Sequence, residues 1–249
     1  MRQRLLIFLL CLAVTTTKAQ VDSISTSMGS LVIQPVQHAA MVLYADKLTI
    51  YVDPMGGAAS FSNFKKPDII LITDIHGDHM DPKTIDSVKS EGTIVIAPRA
   101  VANQLVAQDS SKLRVLDNGK ETNYHGISVM AVPMYNLPET ADSRHPKGRG
   151  NGYVIAIGGK RIYISGDTED IPEMRNLKNI DVAFVCMNLP YTMDVEQAAS
   201  AVIAFKPKIV FPYHFRGQGG FSDVNQFKQL VNKGDAKIDV RLKNWYPSK

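Results

Sequence analysis

Cysteine is almost missing from this chain of 249 residues, which has two, Cys11 and Cys186. Long apolar runs are missing too. Leu5–Val14 is about ten residues, half of what a bilayer span needs, so a stable membrane anchor is not expected. No cluster of Lys and Arg points to nucleic acid, and no internal repeat, low-complexity stretch or linker divides the chain. The short apolar run follows Arg2 and Arg4 and precedes Thr17-Lys18-Ala19, the order of a secretory signal peptide. Residues 1–19 are therefore expected to be a leader, and residues 20–249 an exported domain, periplasmic or secreted. Cys11 raises lipidation as the alternative, but Leu10 before it is bulkier than such processing prefers.

Cleavage near Ala19 changes what the composition means. Lys and Arg fall by three from 28 against 24 acidic residues, so the net charge drops from +4 to +1. The basic balance of the full chain then carries no case for a nucleic-acid partner. Cys186 is left without an intrachain partner, so the exported domain is held by its core and not by disulfides. At roughly 230 residues a chain buries enough surface for that.

Hydrophobic periodicity predicts an α/β domain. Strands are expected at Leu31–Val36, Ala39–Tyr44 and Leu48–Val52, closed by Asp53-Pro54 and Gly56-Gly57. Asp68–Thr73 is a continuous apolar run suited to a strand buried on both faces. Helices are expected at Pro82–Lys89, Ala100–Gln108, Val195–Phe205 and Val224–Asn232. Further strands are expected at Thr93–Ala97, Ile127–Val132, Tyr153–Ile157, Arg161–Ser165, Asp181–Cys186 and Ile209–Tyr213. Strands in a meander, then alternating with helices, imply sheets covered by helices on their outer faces. The glycine-rich Gly148–Gly152 reads as a turn before the Tyr153 strand, since no strand-loop-helix frame for a nucleotide surrounds it.

Potential ligands cluster where these strands end. Asp74, His76, Asp78 and His79 fall within six residues directly after Thr73, Asp167 follows Ile164-Ser165-Gly166, and His214 follows Phe211-Pro212-Tyr213. Three separate strand ends each delivering imidazole or carboxylate make a metal site, and that donor set suits zinc, manganese or iron better than calcium. Cys186 ends a buried strand and reads as packed, not reactive.

The segment Asp74–His79 resembles the HxHxDH signature of the metallo-β-lactamase superfamily, with Asp74 in place of the first histidine. Ser165-Gly166-Asp167-Thr168 resembles that family's GDT motif, and His214 matches its last histidine. The chain looks most like the branch holding ascorbate-phosphate lactonase and many metal-dependent hydrolases. The resemblance implies a four-layer αββα sandwich with two divalent metal ions at one edge of its paired sheets. It implies His76 as a ligand of the first ion, Asp78, His79 and His214 as ligands of the second, and Asp167 as the bridge. Asp74 is either a first-site ligand or a residue behind the ligands. As a ligand it would be harder and more negative than histidine, favouring manganese or magnesium at the first site, so that Asp74→His should favour zinc. His145 is favoured as the remaining first-site ligand over a surface-loop histidine, and His38 is either near the site or structural. Tyr135, Asn136, Asn188, Tyr191 and Arg216 fall in loops expected to converge on the metals.

The activity so implied is hydrolysis of an ester, lactone, amide or phosphoester bond by a metal-bound hydroxide, with Asp78 orienting it and carrying the proton. The alternative is a non-enzymatic metal- or ligand-binding protein, which would have no need of Asp78. The substrate is expected to be a small molecule. It is expected to be anionic if Arg144, Lys147 and Arg149 around His145 are drawn to the site, the alternative being a solvated loop.

Overall fold

A computed structural model describes residues 21–105, 110–140 and 142–246. The leader expected over residues 1–19 lies outside the described residues, as does the end of the helix expected to reach Gln108. Among the described residues, no helix is long and apolar enough to cross a membrane.

The first sheet has seven strands in sequence order, β1 (Asp22–Thr26), β2 (Gly29–Gln37), β3 (Ala40–Ala45), β4 (Leu48–Val52), β5 (Ile69–Leu71), β6 (Ile94–Ala97) and β7 (Leu113–Val115). β1 to β4 form an antiparallel meander, and β4 to β7 run parallel. Of the three parallel crossovers, α1 (Pro82–Val88) makes the one from β5 to β6 and α2 (Arg99–Leu105) the one from β6 to β7. The second sheet is built on the same plan. β8 (Glu121–Tyr124), β9 (Ile127–Met134), β10 (Gly150–Ile157) and β11 (Lys160–Ile164) are antiparallel neighbours. β12 (Val182–Cys186) and β13 (Ile209–Tyr213) then extend it in parallel. α3 (Pro172–Arg175) connects β11 to β12, and α4 (Val195–Phe205) connects β12 to β13. After β13 come a small hairpin, β14 (Arg216–Gly217) with β15 (Gly220–Phe221), then α5 (Val224–Gly234) and the parallel edge strand β16 (Asp239–Val240).

Side-chain alternation shows how the layers stack. Met41, Leu43, Ile50, Val52, Ile69, Leu71, Ile94 and Ile96 share one buried cluster with Val129, Ala131, Tyr153, Ile155 and Ile162 of the second sheet. The intervening residues Val42, Tyr51, Ile70, Val95 and Ala97 face the other way, against Ile85, Val88, Val101 and Leu105 of α1 and α2. Met174, Ala198, Val202, Phe205, Phe227 and Val231 bring α3, α4 and α5 onto the second sheet. The result is the expected four-layer αββα sandwich.

The long elements match the sequence reading within a few residues, whereas β1, β7, β8, β14, β15, β16 and α3 were not foreseen. Each spans two to five residues, too few for a period to register. Gly150-Asn151-Gly152 is strand and not turn. The Asn151 N–H donates to Thr73 O at 2.9 Å and stitches the second sheet to the end of β5 in the first.

Candidate metal centre

All the ligand types foreseen from the sequence meet at the carboxyl ends of the parallel strands. β5 leads into the loop carrying Asp74, His76, Asp78 and His79, which α1 terminates. Asp81 caps that helix by accepting from the Lys83 and Thr84 backbone N–H groups, and Pro82 takes its first turn. β11 leads to Asp167 and β13 to His214. Gly166, before Asp167, sits at φ 62° in the left-handed region, and a Cβ there would lie 2.7 Å from Met134 Sδ, so glycine is required. His38, Asp53 and His214 adopt the same region without being glycine, at φ 55°, 44° and 48°. Such strain gathers at sites that the surrounding structure holds in place.

Two groups of donors flank Asp167. In the first, Asp74 Oδ2 lies 2.5 Å from His76 Nδ1 and 3.9 Å from His145 Nε2. In the second, His79 Nε2 and His214 Nε2 are 3.0 Å apart, with Asp78 Oδ2 3.5 Å from His214. Asp167 stands between the groups, with Oδ2 3.3 Å from both His79 Nε2 and His145 Nε2 and Oδ1 3.3 Å from His214 Nε2. His145 Nε2 and Asp167 Oδ1 are buried without a hydrogen-bond partner. Buried polar atoms are normally satisfied. Two such orphans facing a convergence of imidazoles and carboxylates are what a cation would complete, so the residues fit divalent metal.

The ring orientations are set from behind. Asp53 Oδ2 accepts from His79 Nδ1 at 2.9 Å and from the Thr73 hydroxyl at 2.6 Å, aiming Nε2 into the site. Asn136 Oδ1 accepts from the His145 backbone N–H at 2.9 Å and from Nδ1 at 3.1 Å, to the same effect. In the sequence Asp53 looks like the start of a turn; its one signal is a carboxylate at the end of a wholly buried strand. His38 Nε2 donates to Asp78 Oδ2 at 3.2 Å while its Nδ1 meets the Tyr246 hydroxyl at 2.8 Å. Burial lowers the His38 pKa, though Asp78 pulls the other way. A neutral His38 thus positions Asp78, whose side chain is 38% exposed. His38→Phe should leave metal content near wild type and lower kcat by roughly tenfold to a hundredfold, the usual effect of losing an outer partner. Parallel metal analysis and steady-state kinetics check this, and an unchanged kcat would remove the positioning role.

Charge within the centre also fixes a pH response. Burial alone would lower the His79 pKa, but the Asp167 and Asp53 carboxylates outweigh it and raise it well above the ordinary 6.5. In metal-free protein this pairing stabilises the fold fully below about 6.5, the unfolded value, and is lost as pH rises through the raised folded value. Metal must displace the same proton. Metal-free protein should therefore lose thermal stability over that interval while zinc affinity rises, as melting curves and zinc titrations from pH 6 to 9 would show. Burial pushes the Cys186 thiol up to about 11, so it is inert packing.

The remaining candidates separate cleanly. Asn188, Tyr191, Arg144 and Arg216 line a cleft of ≈ 350 Å³ above His38, His76, Asp78 and Asp167. Tyr135 does not reach it; its hydroxyl donates to Glu173 at 2.8 Å. Lys147 is not in the cleft either, being held by Glu139 at 3.0 Å and Glu173 at 3.2 Å. Arg149 does reach the centre but is committed there, with Nε and Nη2 each 3.3 Å from an oxygen of the fully buried Asp74. Of the three cations around His145, Arg144 is the one that lines the cleft. His125 is exposed in the turn between β8 and β9.

Comparison with known proteins places the chain in a family. Residues 32–214 match the beta-lactamase superfamily domain. A metal-dependent hydrolase of Pyrococcus abyssi is 31% identical over 216 residues, 83% of this chain and 93% of that protein. A solved structure from Parabacteroides distasonis, described as a metal-dependent hydrolase, is 42% identical with a TM-score of 0.82, covering 91% of this chain and 99% of that one. The metallo hydrolase Igni18 from Ignicoccus hospitalis shares the fold at 24% identity and a TM-score of 0.73, covering 86% of this chain and 95% of that one.

Proposed function

The chain belongs to the beta-lactamase superfamily and is a metal-dependent hydrolase, and we propose that it is exported and cleaves an ester, lactone, amide or phosphoester bond in a small molecule lodged over Asp167. The observation that carries this is the convergence of Asp74, His76 and His145 on one side of Asp167 and of His79 and His214 on the other, with buried His145 Nε2 and Asp167 Oδ1 lacking a hydrogen-bond partner. Asp74, His76 and His145 would hold one divalent ion and Asp78, His79 and His214 a second. Zinc is the expected ion, and manganese or iron suits the same donors. Bound there, such ions supply the acidification of a water and the polarisation of a carbonyl or phosphoryl oxygen. Asp78, half-open to the cleft and steadied by His38, is placed to take a proton from the water and return it to the leaving group. Its placement favours turnover over a purely binding role. Export is supported by the leader pattern of residues 1–19.

Metal analysis of purified protein, followed by a panel of aryl esters, lactones, amides and phosphodiesters with and without chelator, tests the reading. Chelator-sensitive turnover of at least one class, restored by zinc or manganese, is expected. Metal-loaded protein inert toward every class would contradict it.

A further inference from the structure

The walls of the cleft carry a chemistry that the metal-ligating floor does not use. The Arg144 guanidinium lies over the Tyr191 ring, 4.5 Å from its centroid, and that of Arg216 lies over Tyr246 at 5.0 Å. Both arginines are exposed, and both line the cleft. Among the described residues, neither guanidinium has a carboxylate partner, whereas Lys147, Arg149, Arg175 and Arg241 are all ion-paired. A guanidinium seated on an aromatic face keeps its N–H edge free and has already given up part of its rotamer freedom. The charges point the same way. Asp53, Asp74, Asp78 and Asp167 are opposed by Arg149, and with Arg144 and Arg216 added the cleft is net positive whether one divalent ion is bound or two.

Exposed apolar side chains lie close in sequence to the residues of these walls. Leu137, Leu189 and Phe221 are 41%, 47% and 62% exposed, among the few large apolar side chains that face solvent. They sit on the three segments that supply Arg144, Asn188 with Tyr191, and Arg216 with Gln218 to the cleft, and these segments are joined. Asn136 Nδ2 donates to Tyr191 O at 2.9 Å, and the Gln218 N–H donates to Leu189 O at 2.9 Å. Gly217 packs so closely on Leu189 that a Cβ would lie 1.8 Å from its carbonyl oxygen, so the hairpin carrying Arg216 can dock there because this residue is glycine.

We propose that Arg144 and Arg216 form an oxyanion subsite beside the scissile bond, so that the substrate is an ester or phosphoester bearing a carboxylate or phosphate group together with an acyl or aryl group covered by Leu137, Leu189 and Phe221. The inference rests on the hydrolase reading above and narrows its substrate. Lys147 and Arg149 have no part in it.

The test uses metal-loaded full-length mature protein and paired aryl esters and aryl phosphodiesters, identical except for a neutral, carboxylate or phosphate substituent. KM should be at least about tenfold lower for the anionic members, the scale of a hydrogen bond to a charged group. In Arg144→Gln/Arg216→Gln the anionic-to-neutral ratio should collapse toward one. Phe221→Ser should narrow the preference for aryl over methyl esters. Calorimetric binding of phenylphosphonate, which is not hydrolysed, supplies a readout apart from turnover. It should weaken at least tenfold in the double variant at equal metal content. Equal KM for neutral and anionic esters in wild type would overturn the subsite and leave the hydrolase standing. If no ester or diester is cleaved, the ester and phosphoester part of the hydrolase reading fails, and phenylphosphonate decides the subsite alone. Affinity lost in the double variant keeps it, and unchanged affinity ends it.

Discussion

Asp167→Ala is expected to strip the protein of most of its bound metal and to reduce hydrolysis by more than the roughly hundredfold that losing an outer partner costs. Asp167 is the one side chain within 3.3 Å of imidazoles from both donor groups, touching His79, His145 and His214. Burial opposes its ionisation, yet the charges of His214 and His79 and the close approach of the His145 and His79 rings, each 3.3 Å away, hold its carboxyl well below the ordinary range. Without it, three buried imidazoles converge with no countercharge between them, and His79 Nε2 faces His214 Nε2 at 3.0 Å. Because metal binding free energy is also folding free energy, the variant should melt several degrees below the loaded wild type and gain nothing from added zinc. Metal analysis beside thermal melts checks both. Full metal content in Asp167→Ala would mean that the ions sit elsewhere.

Asp74→His is expected to weaken metal binding at the first donor group unless Arg149 is changed with it. The sequence alone suggests the opposite, since an imidazole favours zinc. The structure reverses the sign because Arg149 grips both oxygens of Asp74 from within the centre. A histidine there would leave a guanidinium only 20% exposed, unpaired and facing a metal cation. Losing the carboxylate leaves that charge uncompensated, and its repulsion of a bound cation, reduced by partial exposure, is expected to cost about 2 kcal/mol, or roughly thirtyfold in affinity. Asp74→His/Arg149→Met should recover most of the loss and show the higher zinc preference that imidazole brings. Zinc competition against a chromogenic chelator measures all four members of the cycle. Tighter zinc binding in the Asp74→His single variant would contradict the clamp.

How much of the centre was legible in the sequence follows from how each residue is held. Asp74, His76, Asp78 and His79 are close in sequence, and Asp167 and His214 directly follow apolar strands, so period and position were enough to gather them. Asp53 and His38 act through partners 26 and 40 residues away, reached across a sheet edge. Local pattern does not show those partners, although Asp53 ends a buried strand and His38 is among the candidates near the site. Lys147 and Arg149, two residues apart, were read as one basic loop, yet one turns to Glu139 and Glu173 and the other to Asp74. Charge alone could not say which carboxylate each would find. The matching plan of the two sheets was also invisible, because strand order is set by pairing and leaves no sequence repeat.

The most direct test of the metal centre is anomalous diffraction at the zinc and manganese edges from crystals of the loaded protein. The account predicts one peak ligated by His79, His214, Asp78 and Asp167 and another by Asp74, His76, His145 and Asp167. Peaks confined to other histidines, or an anomalous map without signal around Asp167 in a protein that hydrolyses its substrate, would contradict it.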